Sequence, residues 1–197
     1  TWQIGVHVEK DLEAVRIPVA ERFMAGGDWW SGEWSTLPPY RSEGTATPVR
    51  AFNLQFAATL PAAADALATA GWAPVEEADW QWVLRSLNPD ADEASLPLVG
   101  RNFLGQAERL VMSLPKATPG EQWVVRLWDS GVRLDDEAVP VYLGQLTLER
   151  LGTRLWFFSH WRPSAPSPVE LQEFAAALEN LEARSAQPEL LLIRPRR

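Results

Sequence analysis

Apolar and polar positions alternate through "QWVVRLW" at 122–128 and again through "VYLGQLTL" at 141–148. Because strand side chains point to opposite faces in turn, Trp123, Val125 and Leu127 share one side of the first run, and Val124, Arg126 and Trp128 the other. Val141, Leu143, Gln145 and Thr147 alternate in the same way with Tyr142, Gly144, Leu146 and Leu148. The pattern predicts a β-hairpin with one wholly apolar face and one that mixes arginine, aromatic and polar groups. Its turn falls in the acidic, glycine-containing stretch between the runs, with Asp135 and Asp136 solvated there. Gly144, inside a strand, marks a bulge or a place where a bulky neighbour such as Trp128 lies over the backbone.

The rest of the chain reads by the same rules. "WQIGVHVE" is a short strand, and "KDLEAVRIPVAERFMAGG" a short helix or irregular arm interrupted by Pro18. The Gly-, Ser- and Pro-rich stretch that follows carries Trp29, Trp30, Trp34 and Tyr40, a loop expected to fold back onto the body. "VRAFNLQFA" is a strand with Phe52, Leu54 and Phe56 on one face and Asn53 and Gln55 on the other. Thr59 as N-cap, Pro61 in the first turn and Gly71 after the last turn bound a helix. A second helix, capped by Asp79, places Trp80, Val83, Leu84 and Leu87 on one face, and an acidic loop follows over 88–97. Leu110, Met112 and Leu114 mark another strand, as does "RLWFFSHW" after the hairpin. Ser167, Pro168 and Glu170 form a capping box opening a helix whose buried stripe is Leu171, Phe174, Leu178 and Leu181. "ELLLIRP" closes the chain as a strand.

This order gives an α+β fold, a mainly antiparallel sheet with two or three helices packed on one face and a second face left free. Residues 1–50 form an N-terminal strand and aromatic-rich arm packed on the body formed by 51–197, one globular unit in all. At 197 residues, 46% hydrophobic and 22% charged, the chain is long enough for one sizeable core. Its net charge of −8 argues against a nucleic-acid partner, which needs a basic face. There is no cysteine, so disulfides, thiolate metal sites and cysteine nucleophiles are excluded. That fits an extracytoplasmic location without requiring it. No run of about 18 apolar residues spans a membrane. Beginning at Thr1, the chain reads as processed or as a piece of something larger.

The search for chemistry returns little. "HVE" at 7–9 has the H-x-E of zinc deaminases but no Cys partners, so His7 and His160 read as structural and no metal or cofactor is expected. "NPDADE" starts like a calcium loop, yet Glu93 stands where Gly is needed and Val99 where Glu belongs. "GRNFLGQA" has P-loop glycine spacing, but Gln106 and Ala107 replace the Lys and the hydroxyl. Ser159 and His160 are strand neighbours that face opposite ways. What remains is Arg126 beside Trp128, with His160 nearby, as an anion site with an aromatic platform. The alternative is that Arg126 stacks on a tryptophan and pairs with an acid such as Glu149.

"WW…LPPYR", "FNLQFAATLPAAADALATAGW" and "VVRLWDSGVRL…PVYLGQLTLERL", in that order, resemble the LssY C-terminal domain family of bacteria over about residues 29–162. Domains of that family typically follow membrane-embedded modules, of the DedA type or the type-2 phosphatidic acid phosphatase type. The resemblance implies that this chain is the soluble tail of such a protein, tethered at the inner membrane, here taken as its periplasmic side. The phosphatase motifs themselves are missing, so no catalytic residue is carried over. The matching positions include Leu37, Pro38, Arg41, Asn53, Gln55, Gly71, Trp72, Arg126, Leu127, Trp128 and Gly144. Of these the polar Arg41, Gln55 and Arg126 are the better site candidates.

The first functional reading is a non-catalytic accessory domain whose partner is the membrane-embedded part of its parent, a lipid headgroup or another envelope protein. Trp29, Trp30 and Trp34 would make membrane contact, and Arg41, Gln55, Arg126, Trp128 and His160 would hold a ligand or partner. Alternatives are an enzyme or binding domain for an anionic lipid-linked ligand, and a homo-oligomerisation domain joined through the free sheet face.

Overall fold

The computed structural model describes residues 21–43, 47–75, 98, 100–135, 139–154 and 158–196. The strand expected over 2–9, with His7, the helix capped by Asp79 and the acidic loop over 88–97 lie outside these residues.

Among the described residues the fold is a nine-stranded mixed sheet with helices, an α+β architecture. Its centre is the expected hairpin, β9 (Glu121–Leu134) against β10 (Val139–Arg154). The register sets Trp128 opposite Leu143, Leu127 opposite Gly144 and Arg126 opposite Gln145. β8 (Leu110–Pro115) flanks β9, and β5 (Ala73–Pro74) lies beyond it. On the other side β10 pairs with β4 (Leu54–Ala57), then β13 (Leu190–Pro195) and β12 (Leu181–Gln187). β1 (Arg22–Met24) runs parallel to the far end of β9, and β11 (Phe158–Ser164) pairs with the far end of β10.

The hairpin is longer than the apolar runs suggest. "DSGVRL", read from sequence as part of the turn, is strand: between Tyr142↔Asp129 and Val141↔Val132 the register slips, so Ser130 and Gly131 are extra residues in β9. Gly131 takes φ 77°, a conformation natural to glycine, and the bulge is closed by Asp129. Its carboxylate accepts from Gly131 N at 2.9 Å and from both Nη atoms of Arg133 at 2.8 and 2.9 Å.

α2 (Leu60–Thr69) forms where expected. Thr59 accepts from Ala62 N, and Gly71 ends the helix at φ 89°, with its N–H donating to Ala68 O and that of Trp72 to Leu67 O. α3 (Pro168–Ala177) begins with the full capping box of Ser167 and Glu170. It stops earlier than the sequence suggests, and 181–187 forms β12. Leu178 and Leu181 remain buried, but Leu181 serves the core from a strand, since pairing with β13 supplies backbone partners that a longer helix could not reach.

"VRAFNLQFA" is likewise two strands, β3 (Thr47–Ala51) and β4, broken at Phe52–Asn53. The Asn53 amide donates to Leu146 O at 2.8 Å and accepts from Leu146 N at 2.7 Å, standing in for the ladder of β10. Phe52 turns to the opposite side from Leu54 and Phe56.

Two cores result. Leu54, Phe56, Val125 and Leu127 meet Leu67 of α2 and Phe174 of α3 on one face. Leu143, Trp128 and Leu192 face a second core completed by Phe52 and by Trp29 of α1 (Gly26–Ser31). The second face is therefore not free: Trp128 is fully buried beneath this covering. No helix among the described residues is long and apolar enough to cross a membrane.

Candidate functional site

The polar stripe of the second face gathers charge under a lid. Alternation puts Arg126, Gln145, Thr147 and Glu149 on that face, each about 1–3% exposed. Above them runs a small hairpin, β6 (Asn102–Phe103) and β7 (Gln106–Ala107), turned at Leu104 and Gly105 with positive φ. Arg101 enters this hairpin and Glu108 leaves it. Arg41, from β2 (Tyr40–Glu43), is also buried and donates to Asn102 O at 3.1 Å. Trp128 Nε1 donates to Arg101 O at 3.2 Å. The stretch with P-loop glycine spacing is thus pinned over the sheet by Arg41 and Trp128.

Glu149 is the hub. One oxygen, Oε1, accepts from Arg101 Nη2 at 3.0 Å and from Thr147 Oγ1 at 3.2 Å, and lies 3.7 Å from Arg126 Nη2. Glu108 stands on the other side of Arg126, 3.8 Å from its Nε, and accepts from the Arg101 backbone N–H. Burial, then the charge of Arg101, push the Arg126 pKa down to about 10, against the pull of Glu149 and Glu108. Burial lowers that of Arg101 too. Both stay cationic at neutral pH. Arg101 Nη1 is buried without a hydrogen-bond partner. Such a cluster can hold the lid in register or receive an anionic group.

The candidate residues do not form one site. Arg41 and Arg126 come together in this cluster, and Trp128 borders it, packing edge-on against Phe52 at 5.8 Å. Gln55 is committed elsewhere, accepting from Trp29 Nε1 and donating to Trp34 O, both at 2.9 Å. His160 pairs with Gly152 on β10. That is seven residues along the strand from Gln145, the partner of Arg126, or roughly 23 Å away. Its Nε2 accepts from Arg162.

The three tryptophans proposed for membrane contact fold inward. Trp29 is 0% exposed and Trp34 is half-buried against the second core. Trp30 is covered by Arg194 and Arg184, at 4.0 and 5.3 Å from its ring centroid. A loop indole that finds a buried amide acceptor gains more from the core than from an interface. Arg101 and Glu108 were missed as site residues. Their signal was present, since charges bracketing a tight glycine turn sit at the base of a hairpin. Among the described residues no group of three or more His, Asp or Glu could hold a metal.

No curated protein and no solved structure matches the chain. The model of the LssY C-terminus family matches residues 34–157, more than half of the chain, a span that holds Arg41, Arg101, Arg126 and Glu149, and the chain belongs to that family.

Proposed function

We propose that the chain is a non-catalytic accessory domain that docks on the membrane-embedded part of a longer protein of the DedA or phosphatidic acid phosphatase kind. Family membership supports this reading. The observation that carries it is the commitment of the polar motif residues to the domain's own interior. Gln55 ties down two tryptophans, Arg41 pins the β6–β7 lid, and Arg126 lies 1% exposed between Glu108 and Glu149. Groups that turn over a substrate need access to it; these organise a fold, leaving recognition to its outer surface.

One observation favours a second reading, capture of an anionic group. Arg101 Nη1 is a buried cationic donor with no hydrogen-bond partner, beside the arginine cluster. A phosphate or carboxylate oxygen would satisfy it.

Co-sedimentation of the chain with vesicles separates the two. Retention only by vesicles that hold the parent's membrane-embedded part is the expected result. Retention by bare phosphatidic acid vesicles, lost in a folded Arg101→Gln variant, would put the anion reading in its place. Turnover of a phosphate lipid by the chain alone would overturn both.

A further inference from the structure

Between α2 and α3, on the face opposite the arginine cluster, a cleft of about 160 Å³ opens over the sheet. Trp72, Trp123, Phe174 and Leu146 line its depth, and Glu170 and Glu173 stand in its wall on α3. We propose that this cleft binds a quaternary ammonium group.

Three aromatic side chains converge there. Trp72 and Phe174 meet edge-to-face, with centroids 5.6 Å apart, and Trp123 lies half-buried on β9. Aromatic faces carry partial negative charge and attract cations most strongly where water is excluded. The chain itself uses this property: Lys116 Nζ sits 5.3 Å from the Trp123 ring centroid.

The carboxylates extend the complementarity. The backbone N–H of Ser167 holds the Glu170 carboxyl below its ordinary value, so it is ionised at neutral pH. Glu173 is exposed, and its carboxylate is engaged in none of the side-chain hydrogen bonds or ion pairs of the described residues. An overall charge of −8 draws cations rather than anions to the surface.

Size and hydration select the class of cation. A cavity of about 150 Å³ lined by apolar side chains accommodates a benzene ring, and a trimethylammonium group is of similar bulk. A primary ammonium can give N–H donors to the carboxylates of the wall, but any donor turned to the floor of leucine and indole loses its hydration without a partner. A quaternary ammonium has no N–H to satisfy.

The test titrates the chain with choline and, separately, with its uncharged isostere 3,3-dimethylbutan-1-ol, following the indole N–H resonances of Trp72 and Trp123. Choline should shift both saturably and bind about tenfold more tightly than the isostere. Glu173→Gln, an exposed change that leaves the core intact, should weaken choline several-fold. Lys116→Gln should tighten it by removing a competing cation, and Trp123→Leu should abolish it. Equal binding of the isostere would reduce the cleft to an apolar cavity. Absence of any shift at tens of millimolar choline, or indifference to both Glu173→Gln and Trp123→Leu, would overturn the proposal.

Discussion

Gly144 faces Leu127 across the central strand pair so closely that a Cβ on Gly144 would stand 2.8 Å from Leu127 Cδ2 and 2.9 Å from Leu54 Cβ. The backbone passes between two core leucines rather than beneath Trp128, and there is no bulge at this point. The glycine is there for space. Gly144→Ala should cost about 1–3 kcal/mol in denaturant unfolding, the usual range for overpacking a tight core. Gly152→Ala supplies the contrast. The three atoms nearest its Cβ would all belong to the exposed Arg162 side chain, which can swing aside, so the unfolding midpoint should barely move.

Asn53 bonds both backbone groups of Leu146, and its own N–H and C=O reach Gly144 O and Leu191 N. Asn53→Ala strands a buried donor and a buried acceptor at the junction of β4, β10 and β13. Each orphaned group costs about 1–3 kcal/mol. Hydrogen exchange should show the loss first at the amide of Leu146, ahead of global unfolding.

Arg126 is a buried cation between two carboxylates, and removing it leaves Glu108 with one fewer compensating charge. Arg126→Ala should destabilise by about 3–5 kcal/mol, while Arg126→Met, which refills the volume, should recover part of that loss. Under the docking reading both variants, once folded at low temperature, still bind the parent's membrane-embedded part. Loss of binding by a stable Arg126→Met would move Arg126 into the recognition surface.

Burial raises the Asp129 carboxyl, but hydrogen bonds from Arg133 and Gly131 outweigh it and hold its pKa below the ordinary value. A carboxylate depressed in the folded state contributes stability above its unfolded pKa of about 4, and that contribution is lost as pH falls through the native value. Unfolding free energy measured from pH 6 downward should therefore fall with a component that Asp129→Asn removes. An identical acid slope in the variant would show that the bulge does not depend on this charge.

Much of the described architecture was legible because it rests on local rules. Thr59, Gly71, Ser167 and Glu170 specify helix ends through their own side chains and backbone preferences. The alternation placed every residue of 122–128 and 141–148 on its correct face, and the pairing of Arg126 with Glu149 was one of the two readings it left open.

What only the tertiary structure decided was each choice that depends on distant partners. "LEARSAQ" continues a helical pattern by composition, yet β13 offers it a ladder of six register pairs, whose backbone hydrogen bonds outweigh a weak intrinsic preference. Phe52 broke the strand alternation because Asn53 spends its amide on β10, a contact 93 residues away in the chain. The tryptophans at 29–34 look like an interfacial anchor in sequence; Gln55, 26 residues on from Trp29, draws that indole inward. The sequence by itself determined the capped starts of α2 and α3 and the side each residue of 122–128 and 141–148 faces, since these are settled within a few residues. The burial of Arg126, the lid of Arg101 and Glu108 and the aromatic cleft arose only when strands far apart in the chain were brought to one sheet, because a pair potential acts through space and leaves no local periodicity to read.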